Sequence, residues 1–409
     1  MERITFDAAL VMGPAKAREL LRHHAAVAAS PAGDRERLER CYTKAEGCRL
    51  WDEQGQAYLD FAHGDVLNLG HNPPQVLEAV RRVEERPALL HTGLSPVGAA
   101  LLQTLAAVTP EPLSRTILTS SGAEAVEMAV ALAHAATGRP VVVTCHTSYV
   151  ACRTFEGMVL ASGAAGGAAA AHDPVQPPTP GWKTVPYGDP EALEAALAPG
   201  DVAAFIIEPL QGASGVIVPP AGYLRAAEGL CRQGGTLLIV NEVDTGLGRP
   251  GSLLACQAGR IEPDILCLGP SLSASVEPLG AAVTTEAVWR KSAGNLRMAR
   301  SQPAISGATT RAAAAALATI ETIAEEGLAQ RAAELGAYFL ARLGALQAQY
   351  PAVLKAARGR GLVIGLEFHE SQHRAPRFPF GASGRPAQES AASLVATELF
   401  LRHRILTRV

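Results

Sequence analysis

The hydrophobic positions of this chain fall into short continuous runs that alternate with longer amphipathic segments. A continuous apolar run bounded by turn residues is typical of a strand buried on both faces. Five runs are predicted as strands, at residues 116–119, 141–143, 203–207, 237–240 and 263–268. Apolar positions at helical spacing predict helices at 124–137 and 223–233. This alternation predicts a mostly parallel sheet covered by helices on both faces.

Three segments do not follow this alternation of buried strands and helices. Residues 1 to about 30 predict an amphipathic helical arm that serves packing or dimer contact. Residues 41–61 alternate between apolar and polar positions and predict two short strands around a turn at 52–55. Residues 161–181 are rich in Ala, Gly and Pro and predict a surface loop.

Composition narrows the function classes. The net charge is −3 and aromatic residues make up 5% of the chain, which argues against a nucleic-acid partner. The seven cysteines are scattered without metal-ligand spacing and are predicted to be reduced thiols, with no metal site. No apolar run reaches transmembrane length, so we predict a cytoplasmic protein with no membrane partner.

The stretch from Leu237 to Gly280 is the most informative part of the chain. Its apolar run ends at Asn241 and Glu242, and the turn 248–251 and a second buried strand follow. Ligands of open α/β sheets bind at the carboxyl ends of the strands. The stretch therefore predicts a site at the end of its first strand.

These motifs resemble those of the class III aminotransferases, which use pyridoxal phosphate (PLP). The family text D-E-V-Q-T-G-F-G-R-T-G, P-D-I-L-T-L-A-K-G and P-L-G-A corresponds here to N-E-V-D-T-G-L-G-R-P-G, P-D-I-L-C-L-G-P-S and P-L-G-A. The E-P-L-Q-G run at 208–212 and R-G-R-G-L at 358–362 also have counterparts in that family. The resemblance implies PLP-dependent transferase fold type I, with a mostly parallel sheet and a small α+β domain. The predicted domains are an arm with part of the small domain (1–65), a large α/β domain (66–325) and a small C-terminal domain (326–409).

Two positions depart from the family where its chemistry is concentrated. The resemblance places Asn241 at the aspartate that pairs with the pyridine nitrogen, and Pro270 at the lysine that forms the Schiff base. Proline carries no nucleophile, and an amide carries no charge to keep the ring protonated. Lys183 and Lys291, the lysines nearest in sequence, could replace the lost amine only by approaching through the fold. From these losses we expect no cofactor, or PLP or pyridoxamine phosphate (PMP) held non-covalently as a minority alternative.

A small-residue turn at Ser121, Gly122 and Ala123 precedes a predicted helix. Free N–H groups at a helix N-terminus suit a phosphate, and the resemblance implies that this turn held the PLP phosphate. Glu208 opens the matching E-P-L-Q-G run and is predicted to line the same cleft.

Other family positions also differ. Direct alignment places Ser148 and Tyr149 on an aromatic residue and a histidine of the family, and a one-residue gap places Tyr149 on the aromatic. The partner-subunit phosphate contact falls at 303–310, where only Thr309 and Thr310, after a local shift, supply a hydroxyl. The resemblance also implies a further C-terminal segment, a common source of substrate-carboxylate recognition, which we expect to be missing.

The leading hypothesis is a repurposed enzyme that acts without PLP on a carbonyl or amine substrate, by condensation, cyclisation or dehydration in a specialised biosynthetic pathway. Its predicted catalytic groups are Asp244, His146, Tyr149 and Asn241, polar side chains near strand ends. His71 is predicted to be structural.

Three alternatives stay open. In the first, the chain is a non-catalytic scaffold or regulator that forms a homodimer or a heterodimer with an active aminotransferase. In the second, it is an enzyme that binds PLP or PMP non-covalently. In the third, a cysteine at 145, 152 or 267 is a nucleophile.

Overall fold

The computed structural model describes residues 13, 15–16, 41–62, 67–86, 95–146, 148, 181–212, 215–293, 309–369 and 391–407. The strands in these ranges are β1 (Tyr42–Glu46), β2 (Arg49–Asp52), β3 (Ala57–Asp60), β4 (Leu113–Thr119), β5 (Val141–Cys145), β6 (Trp182–Val185), β7 (Val202–Ile207), β8 (Leu237–Glu242), β9 (Ile265–Leu268), β10 (Gly280–Thr285), β11 (Leu354–Arg360), β12 (Val363–Phe368) and β13 (Ile405–Leu406). The helices are α1 (Pro74–Glu84), α2 (Pro96–Val108), α3 (Gly122–Thr137), α4 (Pro190–Leu197), α5 (Tyr223–Gly234), α6 (Ala255–Gly259), α7 (Glu286–Ala293), α8 (Thr310–Glu325), α9 (Leu328–Gln349) and α10 (Ala391–His403). A 3-10 turn spans Pro270–Ser273.

A seven-stranded sheet forms the centre of the fold, in the order β4-β10-β9-β8-β7-β5-β6. Its strands are parallel except β10, which runs antiparallel to both neighbours. Every residue of β5, β7, β9 and β10 is buried, as continuous apolar runs predict for a sheet covered on both faces. The predicted mostly parallel α/β architecture is confirmed.

Alternate residues of β5 divide the core into two layers. Val143 and Cys145 join the larger hydrophobic cluster, to which α2, α4, α5 and α8 contribute. Val142 faces the opposite layer with α3 and Val288 of α7. Successive strand side chains point to opposite faces, so one apolar strand serves both layers.

Smaller sheets flank the centre. β1, β2, β3 and β13 form a four-stranded sheet, in which the C-terminal β13 pairs parallel with β3. β11 and β12 form a two-stranded antiparallel sheet that packs beside α9. The division of the chain at 65/66 and 325/326 stays a prediction.

Some predicted boundaries were wrong. Residues 41–61 form three strands rather than two, because Gly47 adopts φ +54° and allows an extra tight turn between β1 and β2. Helix α3 begins at Gly122 rather than at residue 124, since Ser121 caps it. The arm at 1–30, apart from residues 13 and 15–16, and the loop at 161–180 lie outside the described residues.

Within the described ranges, no helix combines the length and apolarity needed to cross a membrane.

Candidate active site

The carboxyl ends of five strands meet at one edge of the central sheet. β4, β5, β7, β8 and β9 run in the same direction, because β10 is antiparallel to both β4 and β9. This edge therefore brings together the segments that follow these strands. They carry Ser121 after β4, His146 after β5, Glu208 after β7, Asp244 after β8 and Pro270 after β9.

The turn after β4 forms the N-terminus of α3. The Ser121 hydroxyl accepts a hydrogen bond from the N–H of Glu124 (3.2 Å), and the Glu124 carboxylate accepts one from the N–H of Ser120 (2.8 Å). The N–H groups of Gly122 and Ala123 have no acceptor among the described residues. Two free donors at the positive end of a 16-residue helix suit an anion of phosphate size.

Val243 packs between two turns of this edge. A Cβ added to Gly122 would lie 2.5 Å from Val243 Cγ1, and one added to Gly269 would lie 2.6 Å from the same atom. Val243 is 2% exposed. The turns after β4 and β9 therefore touch through this valine, and both contacts require glycine.

Gly280, the first residue of β10, packs against the turn at Ser121–Ala123, which we name the phosphate-type turn. An added Cβ would lie 2.3 Å from the carbonyl oxygen of Ser121. Because the obstructing atom belongs to the backbone, a side chain at residue 280 would displace the turn itself.

Asn241 is the penultimate residue of β8 and is 2% exposed. Its Oδ1 accepts a hydrogen bond from the N–H of Val243 (3.1 Å). An N–H can only donate, so this contact identifies the oxygen and leaves Nδ2 as the donor on the other side of the amide. Asn241 can therefore donate to a neutral acceptor such as an unprotonated ring nitrogen.

The neighbouring carboxylate serves the fold. Glu242 is fully buried and accepts hydrogen bonds from the N–H groups of Ala255 (2.6 Å) and Cys256 (2.8 Å) at the start of α6. Burial raises its pKa, and the two backbone hydrogen bonds oppose that rise. Because successive side chains of a strand point to opposite faces of the sheet, Asn241 and Glu242 have different roles.

Pro270 begins the 3-10 turn after β9 and is half-buried. Its carbonyl accepts hydrogen bonds from the N–H of Ser275 (3.0 Å) and the hydroxyl of Ser273 (3.2 Å). The turn is held by its own backbone and offers no amine.

The lysines with defined contacts lie elsewhere. Lys183 is on edge strand β6, four strand spacings from β9, or roughly 19 Å, and its amine lies 3.5 Å from a carboxylate oxygen of Asp201. Lys291 is on α7, which follows the antiparallel β10 and so begins at the opposite edge of the sheet.

Two further lysines have contacts outside this edge. Lys44 lies 4.5 Å from the Trp51 ring, and Lys355 pairs with Glu367.

The remaining predicted site residues differ in their burial and in their hydrogen bonds. His146 is half-buried; its carbonyl accepts from Gln211 Nε2 (3.0 Å), and burial lowers the pKa of its imidazole. Glu208 is buried, and its carbonyl accepts from the Tyr187 hydroxyl (2.8 Å). Asp244 is half-buried in the turn after β8. Tyr149 lies outside the described residues.

Two other predicted roles can be compared with the structure. The His71 imidazole pairs with the carboxylate of Asp60 at 2.8 Å, in a mostly buried contact that fits a structural role. Thr309 Oγ1 accepts from the N–H of Ala312 (3.0 Å) and so caps α8. Residues 303–308 lie outside the described ranges.

The cysteine alternative finds little support. Burial raises the pKa of the Cys145 thiol to about 12 and also raises that of Cys267. Both are therefore protonated at neutral pH and are poor nucleophiles. Cys152 is not described.

Sequence reasoning missed Val243 and Gln211. Each lies inside a matched motif, but its importance comes from contacts with residues distant in sequence. The available signal for Val243 was a branched apolar residue between two polar strand-end residues, with glycines in both neighbouring motifs.

A sheet of this order, with a glycine-dependent anion turn and a polar strand end at one edge, defines a protein of PLP-dependent transferase fold type I. The aminotransferase class-III family profile matches residues 30–389. The chain belongs to the class III aminotransferase family.

Solved structures agree with this assignment. Acetylornithine aminotransferase from Elizabethkingia anophelis is 26% identical, with a TM-score of 0.75 over 97% of this chain and 90% of that one. Ornithine aminotransferase from Toxoplasma gondii is 31% identical, with a TM-score of 0.75 over 90% of this chain and 86% of that one. An (S)-enantioselective omega-transaminase from Thermomicrobium roseum is 30% identical, with a TM-score of 0.75 over 90% and 87%.

These findings correct the expectation that no cofactor is bound. The family uses PLP, and the Toxoplasma gondii enzyme is described with partial occupancy of PLP at its active site. The expectation was wrong because it inferred loss of the cofactor from two changed side chains, Pro270 and Asn241, although the phosphate and ring can also be held by other contacts. The phosphate-type turn, the valine between two glycines and the Asn241 amide all fit a bound pyridoxal ring and phosphate.

Proposed function

We propose that this chain is a class III aminotransferase-family enzyme that holds PLP or PMP by non-covalent contacts and acts on an amine or carbonyl compound. One observation carries the proposal. Gly122 in the turn after β4 and Gly269 in the turn after β9 both pack against Val243, while the residue after Gly269 is Pro270, which has no amine.

The chain's own residues divide the binding task. The N–H groups of Gly122 and Ala123 would hold the phosphate, and the α3 dipole would favour its charge. Nδ2 of Asn241 would be available to donate to the ring, while Oδ1 accepts from the N–H of Val243. A neutral amide has no charge with which to stabilise a protonated ring, so Asn241 favours the unprotonated form.

A proton carrier other than lysine is then required. When bound, the cofactor supplies an electron sink for bonds next to its amine nitrogen. His146 follows β5 and Asp244 follows β8, two strands that β7 separates in the sheet, and both are candidate proton carriers at the same sheet edge. Because burial lowers its pKa, the His146 imidazole is mostly neutral at pH 7 and able to accept a proton.

The substrate class and the oligomeric state are proposed only in general terms, by analogy with relatives of the family. The relatives named above are an acetylornithine aminotransferase, an ornithine aminotransferase and an omega-transaminase. By analogy we propose a small-molecule amine donor or carbonyl acceptor and a homodimer.

Absorbance titration with PLP and with PMP tests the proposal. We expect a saturable cofactor band in each case. After borohydride treatment and denaturation, we expect the protein mass to be unchanged, because no amine links the cofactor. Gly344→Ala, on the exposed side of α9 with open space around its Cβ, is the matched control and binds as the wild type does.

Two results would contradict the proposal. A stoichiometric reducible adduct in the wild type would mean that one of the chain's own lysines reaches the cofactor. The absence of any saturable band would mean that the cleft does not hold PLP or PMP.

A further inference from the structure

One wall of the candidate site consists of the segments 208–212 and 215–217, which pair with each other and which we name the site hairpin. Gln211 and Ile217 exchange both backbone hydrogen bonds across it, at 3.1 and 2.9 Å. Gln211 is 1% exposed, and its Nε2 donates to the carbonyl of His146 (3.0 Å). On the other side, a Cβ added to Gly212 would lie 4.0 Å from Asp244 Cβ. The site hairpin therefore contacts His146 directly and lies close to Asp244.

The two-stranded sheet holds the site hairpin from outside. Arg358 of β11 donates from Nε to the carbonyl of Val216 (2.8 Å) and from Nη2 to the carbonyl of Gly215 (2.9 Å). Its third nitrogen, Nη1, pairs with the carboxylate of Glu367 on β12. At Gly365, an added Cβ would lie 2.9 Å from both Gly215 O and Val216 Cβ. Strand β12 thus approaches the hairpin as closely as a glycine permits.

The backbone of Val216 depends on this support. Its φ is +58°, a left-handed conformation that is rare for a β-branched residue. Such conformations persist where the surrounding structure imposes them. Arg358 binds the carbonyls of this residue and of the one before it, so it is placed to impose the conformation.

We infer that Arg358 is a positioning residue of the candidate site, which sets the placement of His146 and Asp244 through the site hairpin. The inference deepens the proposed function and rests on it for the role of those two residues. The planar fork of arginine fits two adjacent carbonyls and a carboxylate together, whereas lysine offers a single point of charge.

The first test is independent of any cofactor. NMR titration of the His146 imidazole, assigned by comparison with His146→Gln, is made in the wild type, Arg358→Gln and Arg358→Lys. Burial lowers the His146 pKa in the wild type. Since a loosened hairpin admits water, we expect Arg358→Gln to return the pKa toward 6.5 and Arg358→Lys to do so less. Arg342→Gln, at an exposed position on α9, is the matched control and leaves the pKa unchanged.

The second test measures PLP affinity. We expect Arg358→Gln to weaken binding by up to about 10-fold (about 1.4 kcal/mol), because the site hairpin follows β7 at the same sheet edge as Ser121 and Asn241 and its displacement disturbs that edge. Gln211→Ala weakens it too, and the double variant loses less than the sum of both changes, since the two residues act through one hairpin.

The outcomes distinguish the positioning role of Arg358 from the proposed binding of PLP or PMP. If Arg358→Gln and Arg358→Lys lower only the melting temperature, and leave the His146 pKa and PLP affinity at wild-type values, the arginine is structural and the inference is overturned. If the wild type binds no PLP, the proposed function fails, and the His146 titration alone decides the positioning role.

Discussion

Two turns at the same sheet edge share a packing contact but differ in the chemistry that they offer. The turn at Ser121–Ala123 keeps free backbone donors, a helix dipole and glycine contacts to Val243 and Gly280. The turn at Gly269–Ser273 makes the same valine contact, but it carries Pro270, which has no side-chain amine. The residues that shape the backbone at this sheet edge are therefore different from those that supply reactive side chains.

The largest expected effect is the gain of a covalent link. Pro270→Lys places an amine at the first position of a 3-10 turn, where a backbone N–H needs no partner within the turn. We expect a stoichiometric reducible adduct with PLP that the wild type lacks, at a stability cost of about 0.4–1 kcal/mol from the lost proline. Mass spectrometry after borohydride treatment measures it.

Pro351→Lys, at an exposed position, is the control for non-specific reaction. Equal labelling of both lysine variants would show that the turn at residue 270 does not face the cofactor.

The phosphate-type turn is expected to tolerate no added methyl group. Gly280→Ala would bring Cβ to 2.3 Å from Ser121 O. We expect a loss of about 1–3 kcal/mol of unfolding free energy, together with weaker PLP binding, because the backbone of the turn must move.

Gly344→Ala is the matched control for denaturant unfolding, since nothing lies within 4 Å of its added Cβ. It should be neutral or stabilising. Wild-type PLP affinity in Gly280→Ala would refute the assigned phosphate turn.

Asn241→Asp tests the ring-nitrogen contact. The carboxylate keeps the hydrogen bond from Val243 N–H, but its second oxygen is buried where Nδ2 was. We expect the apoprotein to lose about 1–3 kcal/mol. PLP should then stabilise this variant more than the wild type, because a protonated ring pairs with the carboxylate.

Thermal unfolding with and without PLP makes the comparison, and Gln349→Glu on the exposed face of α9 controls for added charge. Equal PLP stabilisation of wild type and Asn241→Asp would place the ring nitrogen elsewhere.

The smallest effect concerns pH. The folded pKa of His146 lies below its ordinary value of 6.5 because of burial, so the unfolded chain binds more protons between these two values. The His146 contribution is fully present above pH 6.5 and is lost as pH falls through the folded pKa. We expect less than about 1 kcal/mol, since solvent screens a half-buried imidazole.

Denaturant unfolding from pH 7.5 to 5.0 should therefore show a steeper decline for the wild type than for His146→Gln. His403→Gln, at an exposed position, should behave as the wild type does. Identical pH profiles for all three proteins would contradict the burial of His146.

Much of the fold follows from local pattern. Continuous apolar runs located β5, β7, β8 and β9, because a strand buried on both faces is mostly apolar. Boundaries failed where capping or glycine decided them, as at Ser121 for α3 and Gly47 for the extra strand. The site was less predictable, since its polar residues were visible but their partners were not.

The sequence alone determined which groups are available for chemistry. Proline at residue 270, asparagine at 241 and a set of only five lysines are matters of covalent structure, independent of folding. Only the tertiary structure decided how these groups are used. It placed Val243 between two glycines, Lys183 four strands from β9, and Arg358 against the site hairpin. Such contacts join residues that are far apart in the sequence, and strand order and close packing, which no local pattern encodes, bring them together.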